Sequence, residues 1–135
     1  MRDFEDLADR LRAFAAEREW ETFHSPKNLA MALAGEVGEL AAELQWLSEA
    51  DAQPHRFDDS LRQRLADEVA DVLIYLVRFA DVCRIDLFTE AYAKIGRNES
   101  RYPVELSRGN AVKYTSLPGH DRHLGDDPPT GDWER

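Results

Sequence analysis

The sequence predicts an all-α protein built as a bundle of four main helices. Two observations support this class. Apolar residues recur at the three- and four-residue spacing of an amphipathic helix in four separate segments of the 135-residue chain. No segment shows the strict alternation of apolar and polar residues that is typical of a strand, and the chain has no internal repeat.

The first two helices are predicted from apolar spacing and from a start signal. The first covers residues 3–19, where these apolar positions share one face: Phe4, Leu7, Leu11 and Phe14. Residues 20–26 break this pattern. Ser25 followed by Pro26 is typical of a helix start, with serine as the N-cap and proline at the first position. The second helix is therefore predicted from residue 27 to residue 47 or 48.

Turn residues separate the remaining elements. Residues 51–60 form a polar loop, and Asp59 or Ser60 is the expected cap of a third helix that reaches residue 82. Residues 84–86 predict a tight connection to a fourth helix over residues 87–99. Apolar periodicity is lost near the end of the chain, where proline and glycine dominate. The sequence thus predicts one domain over residues 1–114 and a flexible tail over residues 115–135.

The composition excludes several classes of protein. Hydrophobic residues make up 43% and charged residues 33%, which is typical of a soluble globular domain, and no apolar run could span a membrane. The net charge of -10 disfavours a polymeric nucleic acid as partner. A nucleotide remains compatible with it if metal ions lie between the phosphates and an acidic site. The single cysteine, Cys83, excludes an intrachain disulfide and favours a cytoplasmic location.

Two pairs of carboxylates lie inside the two most apolar predicted helices. Glu36 and Glu39 are three residues apart on the second helix, and Glu68 and Asp71 are three residues apart on the third. Residues at this spacing share one helix face, and carboxylates in apolar surroundings need a partner. Four such groups converging from two helices suit a hard divalent cation such as Mg²⁺, which prefers oxygen ligands.

Neighbouring residues extend both acidic pairs. Glu43 and Trp46 continue the stripe of the first pair along the second helix, and Tyr75 continues the stripe of the second pair. Gly35 and Gly38 flank the first pair, although glycine destabilises a helix interior by about 1 kcal/mol relative to alanine. The glycines either allow a bulky or charged group to approach the backbone or allow tight helix packing. Both interpretations stay open.

Basic residues form a stripe on the fourth helix, with the spacing i, i+3, i+4 and i+7: Lys94, Arg97, Asn98 and Arg101. Together with Lys113, they could clamp the outer phosphates of a triphosphate. The alternative is an ordinary solvated face. Arg64 and Asp67, on the third helix, are expected to be ordinary solvated residues.

Aromatic residues and one histidine lie near the ends of the first two helices. Trp20 and Trp46 offer indoles that could stack on a nucleobase, and His24 could bind a phosphate or donate to the base. The alternative for His24 is a loop histidine without a role. Neither Glu36 nor Glu68 is followed three residues later by a histidine, so the di-iron chemistry of Glu-x-x-His bundles is disfavoured.

In this order, the motifs resemble those of the MazG-like nucleotide pyrophosphohydrolases, and among them most closely those of the dCTP pyrophosphatases. The resemblance covers residues 14–117. Its continuous runs are residues 20–29, 35–40, 45–46 and 68–76, and its later positions are Lys94-Ile95, Asn98, Arg101-Tyr102-Pro103 and Lys113-Tyr114.

The resemblance implies an all-α fold, assembly as a dimer or a dimer of dimers, and cleavage of a nucleoside triphosphate to the monophosphate and pyrophosphate. It also implies dependence on Mg²⁺, with Mn²⁺ as a substitute. The implied metal ligands are Glu36, Glu39, Glu68 and Asp71. The implied contacts to base and sugar, partly from a neighbouring subunit, are Trp20, His24 and Trp46. Further positions that match substrate contacts are Tyr75, Lys94 and Asn98.

The resulting hypothesis is an Mg²⁺-dependent hydrolase of dCTP or a modified dCTP that removes it from the nucleotide pool. Glu39 is the candidate for orienting or deprotonating the attacking water, and Lys94 and Arg101 would neutralise charge on the leaving pyrophosphate. Base preference stays open, with dUTP as an alternative, because relatives can carry a histidine where this chain has Leu11. The alternative of another class is a helical interaction module whose acidic residues pair with arginines across a dimer interface.

Overall fold

The computed structural model describes residues 4–117, and their regular elements are all helical. The α-helices are α1 (Phe4–Ala16), α2 (Pro26–Leu44), α3 (Asp59–Cys83), α4 (Leu87–Arg101) and the short α5 (Val104–Ser107). Short 3₁₀ turns cover Trp20–Thr22, Pro54–Arg56 and Tyr114–Ser116. The all-α class and the four main helices are therefore confirmed. The described residues divide into two compact units, of which the first ends at Leu87 and the second begins at Phe88.

Helix α3 is the central element of the first unit because it packs against both α2 and α1. Its Val77 and Ala80 are buried, as are Ala15 of α1 and Leu29 of α2. With 25 residues, α3 is about 37 Å long. One continuous helix therefore carries Glu68 and Asp71 near its middle and its buried residues near its C-terminal end.

Helix α2 begins as predicted and ends earlier. The Ser25 Oγ accepts a hydrogen bond of 3.2 Å from the Asn28 N–H, and Pro26 is the first helical residue. The helix ends at Leu44 instead of residue 47 or 48. Ser48 shapes the turn that follows, since its carbonyl and hydroxyl oxygens accept hydrogen bonds from backbone N–H groups three and four positions later and compete with helix continuation. Trp46 thus lies beyond the helix, and its predicted place on the α2 stripe is wrong.

The ends of α1 and α3 are set by local backbone geometry. Helix α1 ends at Ala16, short of residue 19, and Glu19 adopts a left-handed conformation with a φ of 53°. The cap of α3 is Asp58, whose carboxylate accepts the Leu61 N–H at 2.7 Å. The prediction of Asp59 or Ser60 for this role is wrong by one or two residues.

The predicted tight connection after α3 is confirmed. The helix runs to Cys83, and Arg84 adopts the left-handed conformation with a φ of 57°. The Ile85 N–H then returns to the Ala80 carbonyl at 2.8 Å, which closes the last turn. Helix α4 starts two residues after Ile85, at Leu87.

The second unit is built on α4, which extends two residues beyond the predicted end at residue 99. The rings of Tyr102 and Tyr114 meet edge to face at 5.9 Å, and the Arg101 guanidinium lies 5.0 Å from the Tyr114 ring centre. These contacts hold the last 3₁₀ turn against the end of α4. The predicted domain limit at residue 114 stays a prediction, and the predicted flexible tail lies outside the described residues from residue 118 onward.

Across residues 4–117, none of the helices combines the length and apolar character needed to cross a lipid bilayer.

The cap of α3 yields a stability prediction. Asp58→Ala should lower the free energy of unfolding by about 1 kcal/mol because the Leu61 N–H loses its acceptor. Asp58→Asn is the matched control, since asparagine caps as well as aspartate and should retain most of the stability. Urea denaturation followed by circular dichroism measures both variants. Equal midpoints for the alanine variant and the wild type would contradict the role of this cap.

Candidate functional site

Three carboxylates from α2 and α3 meet in the first unit. Glu36, Glu39 and Glu68 each offer an oxygen, and these three oxygens all lie within 4.8 Å of one another. Glu36 and Glu39 lie on successive turns of one face of α2. Glu68 reaches them because α3 packs against α2. The helix pairing thus brings together residues that are about 30 positions apart in the sequence.

Asp71 lies close to this group without belonging to the set of three. It is one turn beyond Glu68 on α3 and exposed to solvent, and its charge acts on both Glu36 and Glu68. The structure therefore presents three closely grouped carboxylates with a fourth beside them. Their role as metal ligands stays a prediction.

The cluster is electrostatically unfavourable as it stands. Burial raises the pKa of Glu68, and the neighbouring charges of Glu39, Glu36, Asp71 and Glu43 raise it further. Burial also raises the pKa of Glu36, assisted by the charges of Glu39 and Asp71. Carboxylates shift in this direction when the charged form loses water and faces like charges.

One atom of the cluster lacks any partner. The Glu68 Oε2 is buried and accepts no hydrogen bond from the described residues. None of the three clustered glutamates forms an ion pair with a lysine or arginine in the described part of the chain. Buried acceptors are nearly always satisfied in folded proteins. This orphaned oxygen and the missing counter-charge together fit a cation as the partner.

Glu43 forms an ion pair with Arg64, which the sequence did not predict. The Arg64 Nε donates to the Glu43 Oε2 at 2.7 Å, and another guanidinium N–H of Arg64 donates to the Ser60 Oγ at 2.7 Å. Arg64 is half exposed, as expected of a solvated residue, but its ion pair with Glu43 was not predicted. This ion pair ties the end of α2 to the start of α3, and helical periodicity could not predict a partner 21 residues away.

The two glycines of α2 lie in open space. A Cβ added to Gly35 or Gly38 would meet no described atom within 4 Å beyond its own helix backbone. Within residues 4–117, no helix packs tightly against either glycine, and the approach of a bulky or charged group from outside the chain stays a prediction.

The segment between α1 and α2 holds an aromatic group with a histidine. Trp20 meets Phe14 edge to face at 5.7 Å and His24 at 6.1 Å. The His24 Nδ1 accepts a hydrogen bond of 3.1 Å from the Arg78 Nε. His24 is therefore not a loop histidine without contacts. Burial lowers its pKa, the Arg78 charge lowers it further, and the Glu21 charge opposes these effects.

Arg78 is the residue that sequence reasoning missed. Only 9% of its side chain is exposed, and it donates to the Asp81 Oδ2 at 2.9 Å. The Asp81 Oδ1 in turn accepts from the Arg12 Nε of α1 at 2.8 Å. A signal was available, because Arg78 is the lone charge in the nine-residue run from Val72 to Ala80, whose other residues are all apolar or aromatic. Such a charge is rarely buried without a partner.

The other predicted site residues occupy separate places. Tyr75 is half-buried on α3, while Trp46 lies in the turn after α2 with 88% of its surface exposed. The second unit holds the predicted phosphate contacts: Lys94, Asn98 and Arg101 on α4, and Lys113 just before its 3₁₀ turn. Within the first unit, the structure brings together the carboxylates in one group and Trp20 with His24 in another.

The fold and this site define an all-α protein with a carboxylate cluster suited to a divalent cation. No protein-family model matches the chain. It is 51% identical to dCTP pyrophosphatase 1 of Rattus norvegicus over 114 residues. This aligned length is 84% of this chain and 67% of that protein. Over the same length, it is 46% identical to dCTP pyrophosphatase 1 of Homo sapiens, again with 84% of this chain and 67% of the other covered.

A solved structure agrees with these relatives. A pyrophosphatase from Archaeoglobus fulgidus matches with a TM-score of 0.70 and 36% sequence identity, covering 76% of this chain and 94% of that one. The chain therefore belongs to the dCTP pyrophosphatase family, within the MazG-like group that its motifs resemble.

The strained cluster yields a second stability prediction. In metal-free buffer at neutral pH, Glu68→Gln should raise the melting temperature because it removes a charge that burial and its neighbours disfavour. A carboxyl pKa that is raised in the folded state destabilises the protein at pH values above it. The advantage of the variant should therefore shrink as the pH falls through the raised pKa towards the ordinary carboxyl range.

Asp67→Asn is the matched control for this experiment. Asp67 lies one position earlier on α3, is exposed, and accepts a hydrogen bond of 2.9 Å from the Gln63 side chain. Its neutralisation should leave the melting temperature nearly unchanged. A Glu68→Gln variant that is no more stable than the wild type at pH 7.5 in EDTA would contradict the electrostatic strain.

Proposed function

We propose that this protein hydrolyses a nucleoside triphosphate, dCTP or a modified dCTP, to the monophosphate and pyrophosphate with the help of Mg²⁺. The observation that carries the proposal is the group formed by Glu36, Glu39 and Glu68, with its orphaned buried oxygen. The relatives named dCTP pyrophosphatase 1 support the reaction and the base.

The residues present fit a hard divalent cation. Its proposed ligands are Glu36, Glu39, Glu68 and Asp71. All are carboxylates, which Mg²⁺ prefers, and Mn²⁺ accepts the same donors. A divalent charge would compensate the repulsion that raises the pKa of Glu36 and of Glu68. When bound, such an ion would neutralise phosphate charge and lower the pKa of a bound water.

The side chains have separate tasks in the proposed reaction. A water oxygen attacks the α-phosphorus, the bond from that phosphorus to the bridging oxygen breaks, and pyrophosphate leaves. Glu39 is the proposed group that orients this water or takes its proton, and its exposure makes it accessible to solvent. Lys94 and Arg101 are the proposed donors that neutralise charge on the leaving group.

The remaining proposed contacts hold the nucleotide. Trp20, His24, Trp46 and Tyr75 would bind base and sugar, while Asn98 and Lys113 would bind phosphate oxygens. The exposed indole of Trp46 offers an apolar face on which a base can stack. Removal of a modified dCTP from the nucleotide pool is the biological role that this chemistry would serve. A cytoplasmic location is part of the proposal and is supported by the single cysteine.

We also propose that the protein assembles as a homodimer or a dimer of dimers. Val69, Leu73 and Leu76 recur on one stripe of α3 and are each at least 36% exposed. On α4, Tyr92 and Ile95 share a stripe and are more than half exposed. Large apolar residues that recur on exposed helix faces are typical of surfaces that bind another protein. A second copy of the chain is the proposed partner.

Activity is tested with a panel of natural and modified nucleoside triphosphates, with separate detection of pyrophosphate and monophosphate. The wild type should release pyrophosphate from dCTP with Mg²⁺ and stop in EDTA. Glu39→Gln and Asp71→Asn should each lower kcat/KM by more than about 100-fold, because even residues that only support a metal ligand contribute 10- to 100-fold. The helical circular dichroism spectrum should be unchanged.

Asp67→Asn is again the matched control, and it should retain wild-type activity. Near wild-type release of pyrophosphate by Asp71→Asn would contradict the assignment of the ligands. If calorimetry detected no Mg²⁺-dependent binding of a nucleotide, the result would favour the alternative of a non-catalytic interaction module. A preference for dUTP in the panel would correct the base and leave the reaction class intact.

Assembly is tested by light scattering after gel filtration. Tyr92→Lys should shift the protein towards the monomer because it places a charge on the exposed apolar stripe of α4. Ala93→Lys adds the same charge to the same helix away from that stripe and should leave the mass unchanged. A wild-type protein that is monomeric at micromolar concentration would overturn this part of the proposal.

A further inference from the structure

We infer that Arg78 is a positioning residue, which holds the His24 imidazole so that its Nε2 carries the proton and presents an N–H donor to an acceptor oxygen of the nucleotide. This inference rests on the proposed function for the ligand and on the structure for the geometry. It concerns a residue that does not itself touch the substrate in the proposal.

The hydrogen bond between the two residues has only one possible direction. A guanidinium has five N–H donors and no acceptor. Since the Arg78 Nε lies 3.1 Å from the His24 Nδ1, the Nδ1 must be the acceptor and cannot carry a proton. In a neutral imidazole, the proton then resides on Nε2. In the described part of the chain, the Nε2 forms no hydrogen bond and is available to a ligand.

Arg78 cannot easily release this hydrogen bond. Its buried side chain is also bound to Asp81 at 2.9 Å, and Asp81 is bound to Arg12 of α1 at 2.8 Å. Arg12 contacts Asp9 as well. The guanidinium is planar, so a rotation that frees the imidazole would also break the bond to Asp81. Because the side chains of Arg78 and Asp81 are largely shielded from solvent, breaking their bond would leave two poorly solvated charges unpaired.

The charges around His24 favour the neutral ring. Arg78 faces it from α3, and Glu21 faces it from the 3₁₀ turn before α2. Burial and Arg78 lower the pKa of His24 more than Glu21 raises it. A doubly protonated ring would also present a second donor to Arg78, which offers no acceptor. His24 therefore contributes a fixed, uncharged donor, which discriminates among ligands by acceptor position and not by total charge.

The tautomer can be measured without any substrate. Long-range ¹H–¹⁵N correlation spectra of the full chain with ¹⁵N-labelled histidine report which ring nitrogen carries the proton, and a His24→Gln variant assigns the signals. We expect a single Nε2–H tautomer for wild-type His24 and a midpoint of titration below the ordinary value for a histidine. A wild-type Nδ1–H tautomer would overturn the inference, whatever the variants do.

Variants then test Arg78 as the cause. Arg78→Met keeps an apolar stem and removes the donor, so His24 should show mixed tautomers and a titration midpoint closer to the ordinary value for a histidine. Losing the oriented donor should raise KM for the nucleotide about tenfold with a smaller effect on kcat. Arg78→Lys keeps a charged donor and should restore part of the single tautomer.

Arg64→Met is the matched control, because it removes an arginine from the same helix and breaks the ion pair with Glu43. It should leave the His24 spectrum unchanged. If Arg78→Met does not fold, Asp81→Asn tests the same network, since a loosened Arg78 should also broaden the tautomer distribution. An unchanged His24 spectrum in every folded network variant would overturn the role of Arg78.

Two probes identify the acceptor. Deoxycytidine offers a base carbonyl without phosphate, and inorganic pyrophosphate offers phosphate oxygens without a base. A shift of the His24 Nε2 signal with one of them supports the inference and identifies the source of the oxygen, while no shift with either overturns it. If the protein released no pyrophosphate from any nucleotide but His24 still showed the fixed Nε2–H tautomer, the result would contradict the proposed function alone. The two failures are therefore distinguishable.

Discussion

The packing of α3 against α2 forces like charges together, and the rest of the first unit is arranged around that constraint. Three carboxylate oxygens within 4.8 Å repel one another, and burial of Glu68 removes the water that would screen them. The apolar contacts between the helices oppose this repulsion, and the Glu43–Arg64 pair adds an attraction between their ends. The fold therefore retains a carboxylate cluster that no ion pair among residues 4–117 neutralises.

A second buried charge on α3, that of Arg78, is paired with hydrogen-bond partners, unlike the charge of Glu68. Arg78 has an anionic partner in Asp81 and a neutral acceptor in His24, both within hydrogen-bond distance. In the described part of the chain, the charge of Arg78 is paired with Asp81, whereas the three clustered glutamates form no ion pair. A satisfied network rigidifies its surroundings, and an unsatisfied cluster is a place where a ligand can contribute. This contrast separates a structural role for Arg78 from a ligand-binding role for the glutamates.

Helical periodicity was sufficient for the class, the four main helices and the two acidic pairs, because spacing along one helix determines which residues share a face. It could not show which residues meet across helices. Arg64 looked solvated and is paired with Glu43, and His24 could have been without a partner and is bound to Arg78. Trp46 was misplaced because the local hydrogen bonds of Ser48, which periodicity ignores, end α2 early. The predicted roles in metal binding, substrate binding and proton transfer depend on ligands as well as on the packing of the helices.

The continuity of α3 has a consequence for how the sequence can change. Glu68 and Arg78 are ten residues apart on one unbroken helix, which separates them by about 15 Å along its axis. Each residue of an α-helix turns the next by about 100°, so inserting or deleting one residue between them would rotate one group away from its partners. Exposed side chains in this interval that take no part in the proposed site, such as Ala70, can vary in size and polarity, but the length of the interval cannot change. Helix α3 thus fixes the rotation of the two groups relative to each other. Homologues should tolerate substitutions at such exposed positions far better than changes in the length of the interval.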